Sequence, residues 1–245
     1  MKKNLFLLSL CALLLSACHI GEIRINGGAQ IEPSANIVKQ EFQMGDFDKI
    51  DIDVIANVKI IQSDDQPRVV LSAPDNYVEL FEFDVANHKL DVEFSRSGVN
   101  IDAEHVDITI YTRTLHKLEN DGLANIEISS WKGDRLEVEN SGVGSMYLSG
   151  LAMGEVVADC SGVGNIELNG KAKKAVLDCS GVGSVDAKGL KANEVKGDCS
   201  GVGSIHCYAI DYIDAEVSGV GSLEYGGKPK QKDLRRTGVG NINEL

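Results

Sequence analysis

The sequence predicts an all-β protein, a right-handed parallel β-helix, and three observations predict it. First, Ser-Gly-Val-Gly followed by Ser or Asn begins at Ser141, Ser161, Ser180, Ser200 and Ser218, at intervals of 20, 19, 20 and 18 residues. A looser copy starts at Thr237 and a degenerate one at Asp121. Self-similarity at one such period marks a solenoid, each repeat being one coil stacked on the last. Second, the residues before each motif alternate. Leu136, Val138 and Asn140 align with Val156, Ala158 and Cys160, then with Ala175, Leu177 and Cys179, and on through Val195 and Ile213. Period two is a strand with one buried face. Third, a second strand follows each motif, where Met146, Ile166, Val185, Ile205, Leu223 and Ile242 align, and Gly150, Gly170, Gly189 or Gly227 closes the coil. Connections between parallel strands are right-handed in nearly all known cases, which sets the expected hand.

The segments divide in chain order. Residues 1–18, "MKKNLFLLSLCALLLSAC", carry Lys2 and Lys3, a short apolar run and a Leu-Ser-Ala-Cys ending. A charged start, an apolar stretch too short to span and a small-residue exit describe an export signal. The ending has the form of a bacterial lipobox, which makes Cys18 the lipidated first residue of the mature chain. The protein is therefore expected to be an exported, membrane-anchored lipoprotein of the outer membrane, with its orientation open. Acyl chains on one cysteine anchor through about 0.8 kcal/mol per buried methylene. Residues 19–40 read as a tether, residues 41–118 as irregular β coils or a capping sheet, and residues 119–245 as the regular solenoid. Residues 41–245 read as one continuous domain.

Charge and composition exclude several partners. The formal charge is −13, and removing Lys2 and Lys3 takes it to −15, which disfavours nucleic acid and anionic lipid. Aromatic residues make up 5% of the chain, so no broad stacking platform for sugars or bases is evident. The membrane is met through the lipid on Cys18 alone. The last coil, "KPKQKDLRRTG", holds Lys228, Lys230, Lys232, Arg235 and Arg236 against Asp233. It reads as a basic cap that keeps the protein monomeric, with Arg235 meeting the acidic row described below.

The paired glycines read as structural corners: Gly142 and Gly144, Gly162 and Gly164, Gly181 and Gly183, Gly201 and Gly203, Gly219 and Gly221. Both members of each pair are expected to supply φ > 0. The intervening valines, Val143 through Val239, are expected to stack on one another. A dinucleotide-binding loop would need a third glycine and a following helix, and here a strand follows.

With the repeats and the segment "FDKIDIDVIANVKIIQSDDQPRVVLSAPDNY" in view, the chain resembles the bacterial family named "putative auto-transporter adhesin, head GIN domain". The resemblance runs over residues 42–245 and ends in "GVGNINEL". It implies a right-handed parallel β-helix on an exported protein, commonly a lipoprotein of Bacteroidetes-like bacteria. It brings no catalytic residues.

Cys160, Cys179 and Cys199 stack inward above Asn120 and Asn140 and read as small buried hydrophobes. A Cys199–Cys207 bridge within one coil is the alternative. Glu139, Asp159, Asp178, Asp198 and Glu216 form an outward acidic row, either a solvated face or a row for cations such as calcium. His88, His105, His116 and His206 lack a partner at ligand spacing, so no metal or other cofactor is expected. Two functional classes follow. One is a non-enzymatic cell-envelope lipoprotein, an adhesin-like or structural module that engages a protein or glycan. The other is a polysaccharide-acting β-helix lyase or hydrolase, which would need long loop insertions to build a groove; these coils have almost none.

Overall fold

The computed structural model describes residues 30–245, so the export signal and Cys18 lie outside the described residues. The fold is the expected parallel β-solenoid, with its strands joined in one continuous hydrogen-bonded sheet.

The N-terminal block builds a first coil and a lid. Strands β1 (Ile37–Gln43), β2 (Lys49–Asp53), β3 (Ile55–Gln62) and β4 (Arg68–Pro74) come first. A short 3-10 helix (Asp75–Leu80), β5 (Phe81–Ala86), β6 (Lys89–Phe94) and β7 (Asp107–Thr112) follow. Strands β2 and β3 form a coil whose outer neighbours are β6 and β7, paired in parallel. Strand β4 then runs antiparallel to β7 and to β1, while β5 runs antiparallel to β6. These antiparallel strands close the N-terminal end of the core. The ring pairs Phe42–Phe83, 4.9 Å between centroids, and Phe81–Phe94, 5.2 Å, pack within that lid.

Part of the expected tether belongs to this block. The Ile31 N–H donates to the Asn100 carbonyl at 2.8 Å, and the Tyr77 hydroxyl donates to the Ile31 carbonyl at 2.6 Å. The Asn36 amide donates to Asp75 at 2.9 Å, and β1 begins at Ile37. The segment from residue 31 onward is thus docked, because its backbone groups find partners on the lid. Its Pro33 and Asn36 break any apolar period from which this could be read.

The regular coils stack on the other side of β2 and β3. Strands β8 (Lys117–Asn120) and β9 (Leu123–Ile128) pair with them. Next come β10 (Trp131–Asn140), β11 (Val143–Cys160), β12 (Val163–Cys179), β13 (Val182–Cys199) and β14 (Ser204–Val217). The last are β15 (Ser222–Gly226), β16 (Gln231–Arg236) and β17 (Asn241–Glu244). Register is kept from coil to coil: Leu136 lies beside Val156, then Ala175, Val195 and Ile213. All five are buried, as are Met146, Ile166, Val185, Ile205 and Leu223 on the opposite flank. Each of these side chains larger than alanine contributes roughly 1.5–3 kcal/mol through burial. Gly197 breaks the inward row for space: a Cβ there would lie 2.8 Å from Cδ1 of Leu223, which fills the gap.

Candidate functional site

Each corner is made by a close approach of backbones. The N–H groups of Val163, Val182, Val202 and Val220 donate to the carbonyls of Gly142, Gly162, Gly181 and Gly201, each at 3.0 Å. A Cβ on Gly162 would land on the Gly142 carbonyl oxygen, and one on Gly183 on the Gly164 carbonyl oxygen. Of the ten paired corner glycines, only Gly144 (φ 137°) and Gly164 (φ 154°) lie in the left-handed region. The expectation of φ > 0 at both places is therefore corrected. Elsewhere glycine is needed because the coil below occupies the volume of a side chain.

The valines between the glycines are in register but do not make an interior stack. They face solvent, from 46% exposed at Val143 to 83% at Val239. Val143 also follows Leu123 and Ile55 in register, so an apolar file runs along this edge between rows of serine and asparagine.

The inward row before each corner has a polar task. Asn140 donates from its side-chain amide to the Gly144 carbonyl at 3.1 Å. Cys160, Cys179 and Cys199 donate their thiols to the carbonyls of Gly164, Gly183 and Gly203 at 3.4, 3.5 and 3.6 Å. Asn120 donates to Asn140 at 2.8 Å, which gives these fully buried amides a partner. All four described cysteines are free, so the Cys199–Cys207 bridge is absent. Burial pushes the Cys207 thiol up to about 12, and the contact with Cys160 lifts Cys179 to about 11. Cys179 and Cys207 so placed are packing groups rather than nucleophiles, whereas the contact with Cys179 lowers the Cys160 thiol.

The acidic row extends further than the five residues read from the sequence. Asp91, Asp51 and Glu119 continue it below Glu139, in register with Asp159, Asp178, Asp198 and Glu216. Cations neutralise its ends. Lys89 meets Asp51 at 2.9 Å and Asp91 at 2.5 Å; Lys117 meets Glu119 at 2.9 Å and Glu139 at 3.1 Å. Arg235 occupies the row's last position and reaches Glu216 at 3.3 Å, Asp214 at 2.7 Å and Asp233 at 2.8 Å. The middle residues have no such partner among the described residues. Asp159 and Asp198 each keep a buried carboxylate oxygen without a hydrogen bond. Burial pushes up the carboxyls of Asp159 and Asp178, and Asp178 is raised further by Asp159 and Asp198 on either side. One carboxylate per coil in a straight file does not surround an ion with the six or more oxygens calcium takes. Among the described residues, no three or more His, Cys, Asp or Glu side chains converge as a metal site.

A cleft that the sequence reading missed lies on the outward face of β3, β7, β9 and β11. It encloses about 540 Å³ and is lined by Asn57, Lys59, Asp107, Thr109, Asn125 and Glu127, with Tyr147 as one wall. Thr109, Lys59, Glu127 and Tyr147 are successive rungs of one row, and Asp107, Asn57 and Asn125 of the next. The following coils place Glu167, Asp186, His206 and Glu224 at Tyr147's position. The ring is therefore the one aromatic in that row and is about half exposed (48%). That break in the repeat was the available signal.

A capped parallel solenoid with ladder-like outer faces is the class of protein that these features define. The chain belongs to the family described as "putative auto-transporter adhesin, head GIN domain", which matches residues 46–229. It is similar to the crystal structure of a "putative adhesin" from Bacteroides fragilis, at 33% identity and a TM-score of 0.84, covering 88% of this chain and all of that one. A "putative adhesin" from Parabacteroides distasonis shares the fold at 20% identity and a TM-score of 0.72, covering 89% of this chain and all of that one. A "putative lipid binding protein" from the same species does so at 22% identity and a TM-score of 0.68, with the same coverage. No curated protein matches.

Proposed function

We propose that the protein is a non-enzymatic, adhesin-like binding module, exported and held at the outer membrane through lipid on Cys18. The observation that carries this reading is the uniformity of the coils. Strands β10 to β13 succeed one another with corners of two residues and no inserted loops. The outer surface is therefore a set of parallel ladders that repeat every coil, about 4.8 Å apart. Such a surface offers the same group many times along one line, which suits holding an extended partner. An enzyme cleft needs unlike groups brought to one point, usually on loops. The family membership and the adhesin relatives support the same reading. No helix among the described residues is long and apolar enough to cross a membrane.

Two measurements test this together. Mass spectrometry of membrane-extracted protein should find an acylated N-terminal Cys18, and Cys18→Ala should release the protein from the membrane. Cells lacking the protein should adhere less well to glycan- or protein-coated surfaces, with adherence restored by the intact gene. A soluble, unmodified wild-type protein would overturn the anchor, and unchanged adherence of the deletion strain would overturn the binding role.

A further inference from the structure

We infer that the cleft beside Tyr147 is a binding subsite for a neutral or N-acetylated oligosaccharide, a conclusion that rests on the adhesin-like reading and gives it a location. The solenoid itself does not account for Tyr147. Inward residues build the core, and the other regular coils fill this outward position with Glu127, Glu167, Asp186, His206 or Glu224. A half-exposed ring there lies outside the core and leaves part of its surface open beside a concavity.

The surrounding groups match the chemistry of a sugar. Asn125 accepts the Ser145 N–H at 3.3 Å, which fixes the amide and leaves its two N–H donors for another partner. Asn57, Asp107 and Thr109 spend no side-chain donor or acceptor on one another or on other described residues. Lys59 is engaged by Glu127 at 3.8 Å, and Glu127 also accepts the Ser129 hydroxyl at 2.8 Å. The free groups are thus two amides, a hydroxyl and one carboxylate, which together ask for a ligand dense in groups that both donate and accept. Sugar hydroxyls do both, and the C–H face of a pyranose carries the partial positive charge that an aromatic face attracts.

The alternatives fit less well. A nucleotide or acidic sugar would meet a chain of formal charge −13 with its nearest lysine already paired. A protein partner would seek an apolar centre with few charges, whereas Lys59, Asp107 and Glu127 line this cleft. Its volume falls in the range of small-ligand sites, roughly 300–1,000 Å³. Four rungs at about 4.8 Å give it a length that takes a short chain of sugar units.

The test uses the full chain on an array of defined neutral, N-acetylated and acidic oligosaccharides, followed by titration calorimetry with the strongest neutral or N-acetylated probe. Tyr147→Ala should weaken binding at least tenfold, and Asn57→Ala and Asn125→Ala about fivefold each. Tyr147→Phe, which keeps the ring, should stay within threefold of the parent. Glu167→Ala, in the same row on the next coil, should change nothing, and the Tyr147 variants should melt with the parent. Array binding that survives Tyr147→Ala would overturn this site and leave the adhesin-like role intact. Binding only to acidic probes would overturn the ligand class, as would a silent array beside retained adherence to protein-coated surfaces. A silent array together with unchanged adherence of the deletion strain would remove the broader reading as well.

Discussion

The Cys179 thiol donates to the Gly183 carbonyl four residues on, across the corner of its own coil, at 3.5 Å. Asn140 and Gly144 make the same bridge one coil-pair earlier, and Arg236 reaches the Gly240 carbonyl at 3.4 Å in the last coil. The inward position before the corner is therefore a donor site for which amide, thiol and guanidinium are interchangeable. Val217 in the intervening coil shows that it can also be filled by packing alone.

Cys179→Ala removes both the donor and the buried sulfur, so it should destabilise the protein by about 1–2 kcal/mol. Cys179→Val replaces the volume as Val217 does and should cost less. Denaturant melts of the two variants check the order. Equal loss in both would assign the whole effect to the hydrogen bond.

Corner glycines should differ sharply from a glycine in open surroundings. At Gly183 an added Cβ meets backbone of the coil below, whereas at Gly45 the nearest atom is a Val85 methyl at 4.0 Å. Gly183→Ala should cost about 3 kcal/mol, because two backbones must separate. Gly45→Ala should change stability by no more than about 0.5 kcal/mol. Thermal melts of both decide the matter, and near-equal melting temperatures would contradict the contact.

The unpaired middle of the acidic row sets a pH dependence. Asp159 and Asp178 hold their protons more tightly folded than unfolded, chiefly through burial. The folded state therefore binds more protons as pH falls through their raised pKa values, and their contribution to stability rises until the ordinary carboxylate range is passed. Melting temperature should climb from pH 7 towards pH 5. Below about pH 4 it should drop, as carboxylates with lowered pKa, such as Glu137 beside Arg135 and Glu155 beside Lys174, become protonated. Asp178→Asn removes one like-charge contact on each side, each worth roughly 0.2–1 kcal/mol. It should raise the melting temperature at pH 7 by about 1–3 °C and flatten the climb.

Arg235 closes the far end of the row from an exposed position. Arg235→Gln should lower the melting temperature in dilute buffer. The deficit should shrink in 1 M salt, where the screening length falls to about 3 Å. A deficit of the same size at both salt concentrations would show that Arg235 acts by packing.

The coil period, the inward rows and the corner positions were legible because each is written locally and then repeated. Arg235 was legible for the same reason, as the one cation in a column of acids. The lid was not. Val69 to Leu71 in β4 read as an apolar run whether their neighbours run parallel or antiparallel, and those neighbours lie far away at β1 and β7. Lys89 and Lys117 could not be matched with the row until the register of β6 and β8 was known. Glycine itself was ambiguous: it serves a left-handed turn and a close backbone approach alike, and only Gly144 and Gly164 among the corner pairs combine the two. Tyr147 interrupts a column of polar residues, but the cleft beside it exists only through the register of β3, β7 and β9, which the repeats alone do not give.

The coil of β2 and β3 is made early in the chain yet lies between β6 and β7 on one side and β8 and β9 on the other. That placement gives the molecule a direction of assembly. The lid and its coil close contacts between distant residues, the slow kind of pairing, and present β8 and β9 with a template. Every later coil then adds to a finished edge, with only nearest neighbours to satisfy. Chains shortened from the C-terminal coils would keep that block, whereas loss of β2 and β3 would part the lid from the solenoid and bare the edges of β8 and β9.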